Sequence, residues 1–389
     1  MDTLALRRID AALWPAAAAV GKIASWCMRF RPSDQRPLIL RPGGMGDLIV
    51  LCIAVEQLGL DPRAFFWVIE HRSKIWARRL GLPHVCYDDG IVRQNWRLAG
   101  RFGTVINSEQ FFGLAQATAL LACGRNSTVT CFSTNRAAAF AERRVLYDPD
   151  RSHEAAEFQK LLVAALGVVP NIPSHPERER FHAVTEKPIV GLGGLQSESR
   201  AFSEDEWANF IRSWAGAASF WIASSETDRP LARRLASRFP GQAELFEGNF
   251  DALCDLIARS PEVFTVDGGF LHIASYYGVP IIGIFTSGRD GKWAALAPGS
   301  RVVRRTDLAC QPCTLFGQVP PCTHQFACKE LDFDRHISES RFRRAAAVGS
   351  VLFFVRSGPF SDAVSVRASL HADRALRTLP HDVSEPARR

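Results

Sequence analysis

The sequence predicts an α/β protein made of two doubly wound parallel-sheet domains, and three observations carry that expectation. Short apolar runs alternate with helix-forming stretches, the pattern of parallel strand–helix units. The pattern runs twice, once on each side of a proline-rich polar segment at residues 167–188. Glycine-rich turns follow the strand that opens each half, "GGMGD" at 43–47 and "GG" at 193–194. Ligands of open α/β sheets sit beyond the carboxyl ends of the strands, so two such domains facing each other would form one site in a central cleft.

Size and composition agree. A chain of 389 residues exceeds what one hydrophobic core usually serves, and 47% hydrophobic with 22% charged residues excludes wholesale disorder. The formal net charge of +7 favours anionic partners such as nucleotides, acidic lipid surfaces or nucleic acid. Ten cysteines spread along the chain suit a reducing compartment. No apolar run approaches the roughly 18 residues that a membrane span needs.

Taken in order, residues 3–30 combine an alanine-rich apolar face with Arg7, Arg8, Lys22 and Arg29. Asp10 and Pro15 speak against a signal peptide. A basic amphipathic helix on a membrane surface and a helix packed on the protein itself both fit. "PLILR" (37–41), "FFWVIE" (65–70), "TVINSE" (104–109) and "STVTCF" (127–132) read as strands, with helices over 47–58 and 111–122. After the linker come "PIVGLG" (188–193), "SFWIAS" (219–224), "EVFTVD" (262–267) and "PIIGIF" (280–285). The expected organisation is a helical segment over 1–35, one domain over 36–180, a second over 181–344 and an Arg- and Ser-rich tail over 345–389.

Four motifs carry chemistry. In Gly43-Gly44-Met45-Gly46-Asp47 the glycines let backbone N–H groups approach a ligand, and the helix start that follows favours negative charge. Asp47 reads either as a helix N-cap or as a group acting on something bound in the loop. In "VFTVDGGFLHIAS", Gly268 and Gly269 open a helix as an anion cradle suited to a diphosphate, with Asp267 before it and His272 on its first turn; a structural turn with a core histidine is the alternative. In "LGGLQSESRAFSEDEW", Arg200 is a phosphate partner or a solvated side chain, and Ser203 with Glu206 makes a capping box. Glu226 follows the second strand of its half, where nucleotide-binding folds hold ribose hydroxyls.

Together, in this order, these motifs resemble glycosyltransferase family 9, the bacterial heptosyltransferases of the lipopolysaccharide inner core. "RPGGMGD" is similar to the family's R-x-G-x-x-G-D opening, "SRAFSEDEW" to its K-x-W-P segment, "SSE" to its G-x-x-E turn and "VDGGFLHIAS" to its D-T-G-x-x-H-x-A-A signature. Gly268 replaces a threonine, Arg200 a lysine, Phe202-Ser203 a Trp-Pro pair, and Ile53 a proline. The resemblance implies a GT-B fold, with acceptor on the N-terminal domain and nucleotide-sugar on the C-terminal one. It implies metal-independent inverting transfer with Asp47 as general base, and Arg200, Gly268 and Gly269 on the leaving diphosphate. Thr286 and Ser287 would be further diphosphate contacts, Glu226 would hold the ribose, and Asp267 and His272 would shape the donor-sugar pocket. The implied donor is ADP-heptose and the implied acceptor a lipopolysaccharide core or related glycolipid. The implied place is the cytoplasm, peripheral on the inner membrane, and nucleic acid is not an expected partner.

Cys310, Cys313, Cys322 and Cys328 form a C-x2-C-x8-C-x5-C cluster that suits a structural zinc ion, a reduced cysteine-rich loop being the alternative. Asp148-Pro149-Asp150 and Asp332-Phe333-Asp334 spell the Asp-x-Asp of metal-dependent transferases but sit in turn-like contexts. Two rivals remain: an NAD-dependent oxidoreductase, which would need the G-x-G-x-x-G turn that 42–47 and 191–196 lack, and a non-catalytic nucleotide- or glycan-binding protein.

Overall fold

A computed structural model describes residues 3–28, 30–168, 187–194, 197–314 and 321–331. The chain opens with helix α1 (Thr3–Met28), followed by β1 (Leu38–Arg41), α2 (Met45–Gln57), β2 (Phe66–Ile69), α3 (Lys74–Arg79) and β3 (His84–Cys86). Next come α4 (Ile91–Leu98), β4 (Phe102–Asn107), α5 (Gly113–Ala122), β5 (Cys123–Phe132), β6 (Arg143–Val145) and α6 (Glu154–Leu166). The second half holds β7 (Ile189–Leu192), α7 (Glu204–Ala215), β8 (Phe220–Ser224), α8 (Arg229–Arg238), β9 (Ala243–Leu245) and α9 (Phe250–Arg259). It continues with β10 (Val263–Val266), α10 (Gly269–Tyr276), β11 (Ile281–Ile284), α11 (Asp290–Trp293) and β12 (Arg301–Val303).

Each half is a six-stranded, all-parallel sheet, ordered β3-β2-β1-β4-β5-β6 in the first and β12-β11-β10-β7-β8-β9 in the second. Read from β9, the second order repeats the first. In both, the strand order reverses at one place, between β1 and β4 and between β7 and β10, and that crevice is where doubly wound folds take ligands. The eight strands expected from apolar runs all form. The four that the sequence reading passed over, β3, β6, β9 and β12, lie at or beside sheet edges, where short, partly polar segments such as "RRV" and "AEL" suffice.

Helix α2 is buried on nearly all sides, from Leu48 through Val55, because α6 packs on one flank and α10 of the second half on another. One apolar core therefore continues from Ile39 and Leu48 to Ile273 and Ala274. Trp76 of α3 completes it, edge-on to Tyr276 at 4.8 Å, a pair worth ~1 kcal/mol beyond its buried area. Polar clamps flank this contact: Tyr276 donates to Glu56 (2.8 Å), and Arg79 reaches the Tyr277 hydroxyl (2.8 Å) and Asp255 (2.6 Å).

Helix α1 packs along α5, and its Asp10, only 1% exposed, accepts from the Gly113 and Leu114 N–H groups at the start of α5 (3.1 and 2.8 Å). Pro15 stands inside α1 without ending it. The capping box expected at α7 is present: Ser203 accepts from the Glu206 N–H, and Glu206 accepts from the Ser203 N–H. The linker's residues 169–186 and the tail 345–389 lie outside the described residues.

Candidate active site

Two helix N-termini meet at the crevice, that of α2 after β1 and that of α10 after β10. Asp47 is not the N-cap of α2; Gly44 holds that position, and Asp47 lies in the first helical turn. Its carboxylate pairs with Arg41 at 2.8 Å. Arg41 is the last residue of β1, 4% exposed, and it also donates to the Ser108 carbonyl (2.9 Å). Burial opposes the guanidinium charge, and Asp47, Glu109 and Glu154 more than offset it, raising its pKa. Glu109, at the carboxyl end of β4, is buried beside this pair; desolvation raises its pKa against the pull of Arg41.

Gly46 explains itself by contact. A Cβ there would lie 2.6 Å from Cδ2 of His272, so the missing side chain is what lets α2 and α10 touch. His272 is 7% exposed, and its ring stands edge-on to Trp293 at 5.9 Å. Burial pushes its pKa down to about 4, with the Asp47 charge opposing, so it is a neutral imidazole at pH 7.

Asp267 ends the β10 connection, and burial raises its pKa while Arg200 pulls the other way. Arg200 donates to the Asp267 carbonyl at 3.0 Å and lies 4.0 Å from its carboxylate; its Nε has no hydrogen-bond partner among the described residues. Gly268 is extended (φ 174°), and a Cβ there would meet only the Val266 carbonyl at 3.8 Å, so a side chain fits at this position. Gly269 begins α10 beside Met45, 3.5 Å from where its Cβ would be, and Gly43 and Gly44 leave room for the Asp47 carboxylate. Thr286 is buried with its hydroxyl unpaired among the described residues, whereas Ser287 is hydrogen-bonded to Ser199 at 2.7 Å.

The crevice thus unites Asp47, Arg200, Asp267, Gly268, Gly269 and His272. Glu226 stands apart, exposed on the turn after β8.

The profile of glycosyltransferase family 9 (heptosyltransferase) matches residues 114–322, more than half of the chain. This chain belongs to glycosyltransferase family 9. The match enters at α5 and leaves in the cysteine cluster, so it takes in the whole second sheet. Solved structures share the GT-B fold. Escherichia coli heptosyltransferase WaaC with ADP superposes with a TM-score of 0.53 at 18% identity, covering 69% of this chain and 92% of that one. A family 9 glycosyltransferase from Veillonella parvula gives 0.60 at 14% (79% and 96%), and E. coli ADP-heptose lipopolysaccharide heptosyltransferase II gives 0.54 at 13% (70% and 92%). Among curated proteins none matches the sequence.

In this family 9 chain the cysteine cluster lies next to the end of β11. Cys310, Cys313, Cys322 and Cys328 line a pocket of about 180 Å³ with Thr286, Ser287 and His324. No three of these sulfurs lie within 4.8 Å of one another. Among the described residues the one such group is His71, Cys86 and Asp89, and its Asp89 is already paired with Lys74 at 3.1 Å. Asp148 caps its own turn, and Asp150 pairs with Arg289 at 2.8 Å, which absorbs the first Asp-x-Asp; the second lies outside the described residues.

Sequence reasoning left Arg41, Glu109, Glu154 and Lys292 unassigned. Arg41 had a visible signal, as the first letter of the R-x-G-x-x-G-D motif. Nothing in the sequence marked the others, which acquire meaning only by meeting across the fold.

Proposed function

We propose that this protein transfers a sugar, heptose from ADP-heptose, to a hydroxyl of a lipopolysaccharide core or related glycolipid, with inversion and without metal. The observation that carries the reading is the carboxylate of Asp47, 26% exposed, at the meeting of two helix N-termini. Asp47 takes the proton of the acceptor hydroxyl as that oxygen bonds to the anomeric carbon; the bond to the diphosphate oxygen breaks, and its electron pair leaves with the nucleoside diphosphate. Arg200 and the N-terminus of α10 stabilise the charge developing on that leaving group, with the Thr286 hydroxyl as a further donor. Neutral His272 gives the sugar pocket a polar wall without a second positive charge beside the base. Glu226 is assigned to the ribose. The structures of E. coli heptosyltransferase WaaC with ADP and with ADP-2-deoxy-2-fluoro heptose support an adenine nucleotide-sugar as donor.

The acceptor reading places the protein on the cytoplasmic face of the inner membrane through α1. Its inward face is taken by α5, while Leu13, Val20 and Ile23 point outward at 54%, 65% and 65% exposure, flanked by Arg8 and Lys22. No helix of the described residues is long and apolar enough to cross a membrane.

Calorimetric titration of the wild type and Asp47→Asn with ADP, UDP, GDP and NAD, paired with a sugar-transfer assay, tests this reading. Selective ADP binding by both proteins, with turnover in Asp47→Asn lower by roughly 10²–10⁴-fold, is the expected result. A preference for UDP or GDP replaces the donor; binding of NAD alone, or of nothing, removes the transferase reading.

A further inference from the structure

A buried line of alternating charge runs from the donor domain to Asp47. Lys292, on α11 and 6% exposed, pairs with the Glu154 carboxylate of α6 at 2.6 Å and contacts the Tyr147 hydroxyl at 2.5 Å. Tyr147 donates to the same Glu154 oxygen at 2.8 Å. The other oxygen of Glu154, which is fully buried, accepts from the Gln110 amide. The side-chain amide oxygen (Oε1) of Gln110 accepts from Arg41 at 3.3 Å, and Arg41 holds Asp47 at 2.8 Å. The Arg41 guanidinium also lies over the Phe158 ring, 5.1 Å from its centre, which fixes its plane. The residue after Lys292 is Trp293, the ring that stands against His272. One short helix of the second domain therefore touches both flanks of the crevice.

We propose that Lys292 is a positioning residue: by holding Glu154, it keeps Arg41 on Asp47, so the base is set only when the two domains are docked. The physical reason is competition. Glu154 and Asp47 are two carboxylates near one buried guanidinium, and a carboxylate without its cation in a desolvated site draws on whatever cation remains. With Lys292 present, Glu154 is satisfied from the far side and Arg41 is left to Asp47. Without Lys292, Glu154 pulls Arg41 toward itself and Asp47 loses its orientation. If the donor domain swings away, the same loss follows, so proton abstraction waits for closure.

The proposal rests on Asp47 acting as base, and its test separates the two. Hydrogen exchange at residues 44–48 needs no substrate; sugar transfer from ADP-heptose reads the base. In Lys292→Met, exchange at 44–48 quickens, while kcat falls on the order of 100-fold and ADP affinity stays within about twofold of the wild type. Lys292→Met/Glu154→Gln removes both charges, restores slow exchange and regains most of kcat; it also covers the case in which the single variant folds poorly. Wild-type exchange and kcat in Lys292→Met, or a double variant as impaired as the single one, overturns the proposal. Full turnover in Asp47→Asn would remove the base reading instead, leaving the exchange result to decide whether Lys292 sets the α2 turn.

Discussion

At the residue scale, His272 and Gly46 form one device. The glycine's missing side chain admits the imidazole against α2, and the resulting desolvation holds the ring neutral, with a pKa near 4 against an ordinary 6.5. The consequence for stability has a definite sign. Below pH 6.5 the unfolded chain binds a proton at this position and the folded chain does not, so folding loses free energy as pH falls from 6.5 through about 4. That share of stability is complete above 6.5 and amounts to on the order of 3 kcal/mol. His153, half-buried at the start of α6 and donating to the Ala294 carbonyl, has its pKa lowered by desolvation and adds in the same direction. Urea unfolding at stepped pH should show a shallower decline between 6.5 and 4 in His272→Asn; equal slopes in variant and wild type would contradict the assignment. The sequence made His272 visible through the Asp-Gly-Gly…His spacing. Its neutrality was not visible, because burial is a property of neighbours that lie far away in sequence.

At the element scale, α1 shows how one helix serves two surfaces. Its inner face is part of the fold: Asp10 satisfies two N–H groups at the start of α5 and lies 3.4 Å from Arg136. Asp10→Ala leaves those donors without their acceptor and should lower stability by about 1–2 kcal/mol in chemical denaturation. An unchanged midpoint would mean that water replaces the cap at no cost. Sequence reading saw Asp10 as an interruption of an apolar segment, because a capping partner more than a hundred residues away cannot be read from local pattern. By contrast, the box formed by Ser203 and Glu206 was legible, since both partners lie within one helical turn.

At the scale of the whole molecule, the proposed membrane contact rests on the outward face of α1, and the proposed setting of the base rests on the domain interface. Asp10 is turned inward, so the exposed charges along the described side chains of α1 are the cations Arg8 and Lys22 beside an apolar stripe. Under the membrane reading, Val20→Ser/Ile23→Ser should reduce co-sedimentation with phosphatidylglycerol-containing vesicles by roughly 10-fold or more, since each apolar side chain contributes about 1.5–3 kcal/mol when buried. Binding equal to the wild type would take α1 out of that role.

By itself the sequence determined the fold class, the repeat of one doubly wound plan and the residues at the strand ends. These follow from local causes: apolar runs set buried strands, glycines set close turns, and parallel sheets place those turns on one edge. Tertiary structure alone decided that Asp47 faces Arg41 instead of capping its helix, that the four cysteines line one pocket with Thr286 and Ser287, and that Lys292 reaches Glu154. These outcomes depend on distances between residues that chain order does not relate. Charge pairing and desolvation act through space, and only the packed molecule sets which groups share a buried volume.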